Sequence, residues 1–322
     1  MKPICVTPNR TCSRGRFSTA CFLLAVACAK ILGAQEGTYD WSSARELYPG
    51  IRFVRVAVAE PRKMVIHGVR IDSQTPGLRL HATPRRQEWV EGKTETDRRT
   101  TRDFLRDSRA KSIPVVFAVN ADAFSPWPAP YNQSTPTDLL GLAVSEGAVV
   151  SRGSGTPSLL KHRTEGLRIV ATDRNFDATG VEWAVSGFAL CLDQGQPLAG
   201  GDDLHPRTGL GLSQDARWIV IVAIDGRQPA SVGATTQELG RWLQHFGAFR
   251  GINMDGGGST TLAWWNPAAD AADKCELLNQ PVGSGSRLDL LPFGSFKPTE
   301  RANGNNLGVV LESPQANPAA KN

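Results

Sequence analysis

The chain has no Cys-x-x-Cys pair, no His-Glu-x-x-His and no EF-hand spacing, so no metal site made of protein ligands is legible. Its five histidines, at 67, 81, 162, 205 and 245, are scattered. There is no internal repeat. Acidic residues are missing from positions 1–34, which hold Lys2, Arg10, Arg14, Arg16 and Lys30; without that segment the formal net charge of +5 falls to zero. The basic character belongs to the leader, and nothing marks a nucleic-acid partner. The apolar run Phe17 to Ala29 is shorter than the roughly 20 residues that span a bilayer. With the basic stretch before it, it reads as a signal peptide, which makes the chain secreted or periplasmic; a short buried helix is the alternative. Cleavage after Ala29 fits the small-x-small rule through Ala27, better than cleavage after Ala34. A lipid anchor at Cys28 is disfavoured because Ala25, not Leu, stands three residues before it. Membrane contact is expected only through this leader. Of six cysteines, Cys5, Cys12, Cys21 and Cys28 fall in the leader. Cys191 and Cys275 either pair in an oxidising compartment or remain as buried thiols.

What is present is enough for a sizeable core: 322 residues, 40% of them hydrophobic. The organisation expected is a leader over 1–34, N-terminal strands over 35–110 packed on or continuous with the main domain, that domain over 111–312, and a disordered tail over 313–322. Alternating apolar residues predict strands at 51–58, 64–71 and 78–82. A charged segment, 94–110, reads as a solvated helix. The run Val115 to Val119 predicts a buried strand ending in Asn120-Ala121-Asp122, where polar side chains can enter a cleft. An aromatic, proline-rich loop follows, Phe124 to Asn132, with Trp127 and Tyr131 as either a cleft wall or a rigid surface. Strands are predicted at 139–144, 147–151, 159–170 and 181–192. Arg207 opens another, where a guanidinium suits a carboxylate or phosphate unless it is an ordinary surface arginine.

Trp218 to Ile224 is the most apolar strand and ends in Asp225-Gly226-Arg227. Thr235-Thr236-Gln237-Glu238 has capping-box spacing before Leu239, Trp242, Leu243 and Phe246, which predicts a helix ending at Gly247 and makes Glu238 a cap rather than a catalytic group. Residues 266–305 are a candidate lid. They end in the polar run Glu300 to Asn306, before a terminal strand at 307–311.

Gly251-Ile252-Asn253-Met254-Asp255-Gly256-Gly257-Gly258-Ser259-Thr260-Thr261-Leu262 places one carboxylate before three glycines that permit close backbone approach. It is either an active-site turn, with Asp255 acting and the following amides holding an anion, or a glycine-rich hairpin. It is not a P-loop, because the lysine and the glycine spacing are absent. Taken together, Val119 to Phe124, His205-Pro206-Arg207-Thr208-Gly209-Leu210-Gly211, Val222 to Arg227 and Asn253 to Thr260 resemble the phosphodiester glycosidase family. Asn120-Ala121-Asp122-Ala123-Phe124 departs from the family's more usual Asn-Gly-Gly-x-Phe.

The resemblance implies an α+β fold, with a mixed, mainly antiparallel twisted sheet and a few helices packed on it. It implies a secreted glycosidase that cleaves between a sugar's anomeric carbon and a phosphodiester, releasing sugar and a phosphomonoester. The implied catalytic set is Asp255, Asp122 and Asp225, with Asp255 as nucleophile, base or orienting carboxylate. Asn120, Asp122, Asn253 and Thr208 would position a carbohydrate-phosphate substrate. Arg207 and the amides of Gly256, Gly257, Gly258 and Ser259 would hold its phosphate, with Thr260 beside them. Asp225 and Arg227 form a structural ion pair or join the site, the former preferred. The sequence marks no cofactor, and a divalent cation, Ca²⁺ or Mg²⁺, held by Asp122, Asp225 or Asp255 with backbone oxygens stays open because it would leave no spacing signature. The alternatives are a non-catalytic carbohydrate-binding or exopolysaccharide and envelope-assembly protein on the same scaffold, and a glycosidase acting on plain exopolysaccharide.

Overall fold

In the computed structural model, residues 38–126, 132–283 and 299–312 are described. The leader, the Trp127 and Tyr131 positions, part of the candidate lid and the tail lie outside the described residues. Every strand ladder among them is antiparallel. Two α-helices occur among the described residues, so the fold there is more β-rich than the expected α+β arrangement with a few helices.

The largest sheet has eight strands, in the order Arg45–Tyr48, Ile51–Val58, Met64–Asp72, Trp218–Ile224, Arg207–Leu212, Arg250–Asn253, Ala189–Asp193 and Gln196–Pro197. Trp218–Ile224 lacks a polar face because both of its faces are covered. Ile219, Ile221 and Ala223 enter the central core, while Val220, Val222 and Ile224 pack in a second cluster under the helix α2, Thr236–His245. The two-residue period of a strand distributes one apolar run between two cores. In α2 the capping box forms, with the Glu238 side chain accepting from the Thr235 amide at 2.9 Å, and Glu238 also pairs with Arg62. Leu239, Trp242 and Leu243 are buried, each leucine contributing about 2 kcal/mol relative to exposure. The helix lies so close to the sheet that a Cβ on Gly209 would sit 2.9 Å from Leu239, and one on Gly251 2.7 Å from Leu243. That is why Gly209 and Gly211 alternate with the core residues Leu210 and Leu212.

Against the inner face of this sheet lie two five-stranded sheets. One runs Cys275–Leu277, Leu262–Trp265, Val115–Asn120, Asn306–Leu311, Leu78–Ala82. Its central strand, Val115–Asn120, is buried throughout. A register shift opposite Val309 and Val310 turns Val115 toward the helix α1, Thr101–Ala110, while Phe117 and Val119 remain in the central core. The other sheet runs Ala148–Ser151, Ala143–Ser145, Val181–Ser186, Thr156–His162, Gly166–Thr172. A three-stranded sheet joins Thr96–Asp97, Pro136–Leu139 and Phe124–Ser125.

Several sequence expectations change, and the expected strand 139–144 divides between Pro136–Leu139 and Ala143–Ser145. The segment 94–110 is helical only from Thr101, where Thr100 caps the Asp103 amide; Phe104 and Leu105 are buried, so the helix is amphipathic rather than merely solvated. The expected strands 159–170 and 181–192 are each two strands, broken by turns at Arg163–Glu165 and Gly187–Phe188. Cys191 and Cys275 are free and buried, and burial pushes both thiols up to about 12. No helix among the described residues is long and apolar enough to cross a membrane.

Candidate active site

The strand Arg250–Asn253 ends as Met254 enters the core, and Asp255 stands at the bend that follows. Gly257 has φ of +61°, and a Cβ on Gly258 would fall 1.5 Å from the Gly283 carbonyl oxygen, so neither position accepts another residue without movement. The Gly257 amide donates to Pro206 O at 2.8 Å, Ser259 to Gly256 O at 3.1 Å and Thr260 to Gly257 O at 3.3 Å. Of the four amides suggested for an anion, those of Gly257 and Ser259 are therefore spent shaping the turn.

Asn120, at the end of the central strand of the facing sheet, fastens that turn. Its side-chain amide donates to Asp255 O at 2.7 Å, and its Oδ1 accepts from Thr208 Oγ1 at 2.9 Å and from the Thr261 amide at 3.1 Å. Thr208 Oγ1 also lies 3.2 Å from Thr260 Oγ1, whose hydroxyl can donate to it. Asn120 is wholly buried with both ends of its amide in use, so the structure places it as a bracket between sheets.

Asp255 is the carboxyl left poised. It is 7% exposed, and its Oδ2 is buried without a hydrogen-bond partner. Burial pushes its pKa up to about 6, against the opposing pull of the Ser259 hydroxyl, the Arg301 charge and the Gly256 amide. Arg301 is itself buried and donates from Nη1 to Ser259 Oγ at 3.3 Å. Asp122 lies nearby in charge terms: burial holds its pKa well above the carboxylate range, and the Asp255 and Glu95 charges add to the rise. Both Asp122 oxygens are engaged, Oδ1 by the Ser186 amide at 2.7 Å and Oδ2 by Asn305 Nδ2 at 3.0 Å.

Asp225 is committed elsewhere. Its Oδ2 is 2.9 Å from His67 Nε2, and its Oδ1 accepts from Asn279 Nδ2 and the Gln280 amide, both at 3.1 Å. Asn279 reaches on to Thr260 O at 3.1 Å, so Asp225 supports the turn from behind. The expected Asp225–Arg227 pair does not form. Arg227 has a left-handed backbone, φ 57°, and its Nη2 lies 3.2 Å from His205 Nδ1 instead. The same guanidinium flanks the turn, because a Cβ on Gly257 would sit 3.2 Å from Nη2.

Arg207 and Asn253 share, by strand alternation, the sheet face of Gly209 and Gly251 that α2 covers; Thr208 lies on the opposite face with Asn120. Arg207 Nε donates to Ala234 O at 2.9 Å and Nη2 to Asp203 O at 2.8 Å, so much of its donor fork is already used. Burial lowers the pKa of Arg207 and Arg227, and burial followed by the two guanidinium charges lowers that of His205. Among the described residues no group of three or more His, Cys, Asp or Glu side chains gathers as a metal cluster would.

Asp255, Asn120, Thr208, Thr260 and Asp122 are therefore brought together, with Arg227 at the turn's edge, while Arg207 and Asn253 stand on the other sheet face and Asp225 stands behind. Sequence reasoning missed Arg301, Asn305, Asn279, His67 and His205. The polar run Glu300 to Asn306 was the available signal for two of them: Arg301 faces the Asp255 turn, and Asn305 and Asn306 bond to Asp122 and Thr101.

A family model for phosphodiester glycosidases matches residues 114–310. Among solved structures, the zebrafish N-acetylglucosamine-1-phosphodiester alpha-N-acetylglucosaminidase catalytic domain, auto-inhibited by its pro-peptide, is similar with a TM-score of 0.58 at 15% identity, over 85% of this chain and 87% of that one. A hypothetical protein from Synechocystis is similar with a TM-score of 0.50 at 16% identity, over 82% of this chain and 62% of that one. At such identities these likenesses concern the fold alone. No curated protein matches the sequence.

Proposed function

Because this chain belongs to the phosphodiester glycosidase family, we propose that it hydrolyses the bond between a sugar's anomeric carbon and a phosphodiester oxygen. The observation that carries the reading is Asp255: a buried carboxyl with an unpartnered oxygen and a pKa near 6, between two arginine-bearing edges of one turn. A base with that pKa is ionised at neutral pH and still basic enough to take a proton from water. Water adds to the anomeric carbon as Asp255 accepts its proton. The C–O bond breaks with its electrons passing to the phosphate oxygen, and sugar and phosphomonoester depart.

A phosphate leaving group needs little protonation, so the site has more use for cations than for a strong general acid. Arg227 is the cation best disposed for the phosphate, with Arg301 deeper beside Ser259. Asp122, held toward its neutral form, spares Asp255 a second adjacent negative charge. With the leader read as a signal peptide, the reaction takes place outside the cytoplasm.

The test is sugar release from UDP-sugars and p-nitrophenyl sugar-1-phosphodiesters by the purified chain and by Asp255→Ala. Loss of about 10³-fold in the variant is expected. Equal activity in the two proteins would remove Asp255 from the mechanism. Absence of release across the panel would favour a carbohydrate-binding protein on this scaffold.

A further inference from the structure

Five large apolar side chains are exposed among the described residues: Val90, Leu140, Phe188, Leu204 and Val232. Single exposed apolar residues need no explanation, but their placement does. Four of the five stand on segments that make the site. The Leu140 amide donates to Ala123 O, next to Asp122, at 2.9 Å, and the Phe188 amide donates to Asn253 O, two residues before Asp255, at 2.9 Å. Leu204 adjoins His205, and Val232 O accepts the Arg227 amide at 3.1 Å. The apolar exposure thus forms two groups, one beside the carboxyls and one beside the cations.

Phe188 is the aromatic member, 51% exposed on a backbone that is held on every side. The Ser186 amide is bonded to Asp122 Oδ1 at 2.7 Å, the Ser186 hydroxyl to Leu142 O at 2.8 Å and the Gly187 amide to Pro157 O at 3.1 Å. A Cβ on Gly187 would lie 2.4 Å from Ile252 and 2.5 Å from Asn253 O, so the glycine lets this turn lie directly on the strand that delivers Asp255. The Leu140 loop abuts the same turn, since a Cβ on Gly141 would be 2.5 Å from Ser186 Cβ. A ring left half in water on a fixed backbone gives up its burial free energy, and its position relative to Asp122 and Asn253 is set in advance.

We propose that Phe188, with Leu140 beside it, is the platform on which the substrate's pyranose ring stacks, and so the residue that selects a six-membered sugar at this site. The inference rests on the glycosidase reading and adds the sugar subsite to it. The C–H-rich face of a pyranose is weakly positive and apolar, which matches the negative face of a phenyl ring. The arginine edge then lies on the phosphate side and the phenyl ring on the sugar side of the scissile bond.

The experiment uses the full chain and the variants Phe188→Ala, Phe188→Trp and Leu140→Ala, with Val90→Ala as an exposed apolar control outside the Phe188 and Leu140 turns. KM and kcat are read on UDP-glucose and UDP-galactose, and binding of free glucose, galactose and mannose is read by saturation-transfer NMR. Phe188→Ala is expected to raise KM about tenfold with a smaller change in kcat, Phe188→Trp to restore it, Leu140→Ala to raise it a few-fold, and Val90→Ala to change nothing. The melting temperature should be equal in all five proteins, because the ring is not part of the core. Hydrolysis with an unchanged KM in Phe188→Ala would overturn the platform and leave the glycosidase reading standing. If the parent chain cleaves no diester, hexose binding lost in Phe188→Ala supports the platform while the reaction fails; hexose binding that is absent or independent of Phe188 overturns it.

Discussion

The side-chain amide of Asn120 donates to the main-chain carbonyl of Asp255 at 2.7 Å, across the junction between two different sheets. The loop carrying the reacting carboxyl is thereby fixed to the most buried strand of the facing sheet.

Asn120→Ala should be among the most damaging single changes. It leaves the Asp255 carbonyl and the Thr261 amide without their buried partner, each at about 1–3 kcal/mol, and the Thr208 hydroxyl with Thr260 Oγ1 alone. Denaturant unfolding should show a loss of about 3 kcal/mol or more. Asn120→Asp keeps the shape and the acceptor but loses the donor toward Asp255, so it should also lose most activity; an Asn120→Asp protein with parent-like kcat would show that the bracket does not position the turn.

Asp255 links activity to pH and stability in opposite senses. Its pKa is raised in the folded chain, from 3.8 to about 6, so the favourable protonated state is complete below pH 3.8 and is lost as pH rises through about 6. At about 1.4 kcal/mol per pH unit, the ionised carboxyl costs the fold about 3 kcal/mol above that window. The kcat/KM profile should therefore rise through about pH 6 while stability falls. Asp255→Asn should be inactive yet more stable than the parent at pH 8 and equal to it at pH 3. Arg301→Gln removes a charge that pulls the Asp255 pKa down, and should move the acid limb of the rate profile upward.

Arg227 and Arg207 should separate in assay. Arg227 borders the turn with its Nη2 beside His205 Nδ1, and Arg227→Ala should reduce kcat/KM for sugar phosphodiesters more than for p-nitrophenyl glycosides that lack phosphate. Arg207 holds two main-chain carbonyls, and Arg207→Ala should lower the melting temperature while reducing activity on the two substrate classes alike. A phosphate-selective loss in Arg207→Ala, with no thermal effect, would exchange the two roles.

Much of the fold was legible because its signals are local. Trp218–Ile224 reads as a strand from its own residues, and α2 reads as a helix from Thr235, Glu238 and an apolar stripe. The start of α1 was misplaced because Arg98 and Arg99 look like solvated helix, whereas Arg98 is buried and reaches Pro126 O at 2.9 Å. The breaks near Arg163 and Gly187 carry local turn signals, the polar run Lys161 to Gly166 and Gly187 itself, which the apolar residues on either side obscure.

The site divides along the same line. From sequence alone came Asp255 with its glycines, Asn120 at a strand end and the family they resemble, since each depends on neighbours in the chain. Whether a polar side chain at a strand end meets Asp255 depends on which sheet face it occupies and on what the opposing sheet brings to it. Tertiary structure therefore decided that Thr208 meets Asn120 while Arg207, on the opposite sheet face, holds two main-chain carbonyls, that Asp225 turns to His67, and that Arg301 reaches Ser259. The physical reason is burial: the central core closes two sheets over these groups, and a buried charge or amide must take whichever partner the fold presents, however far away in sequence.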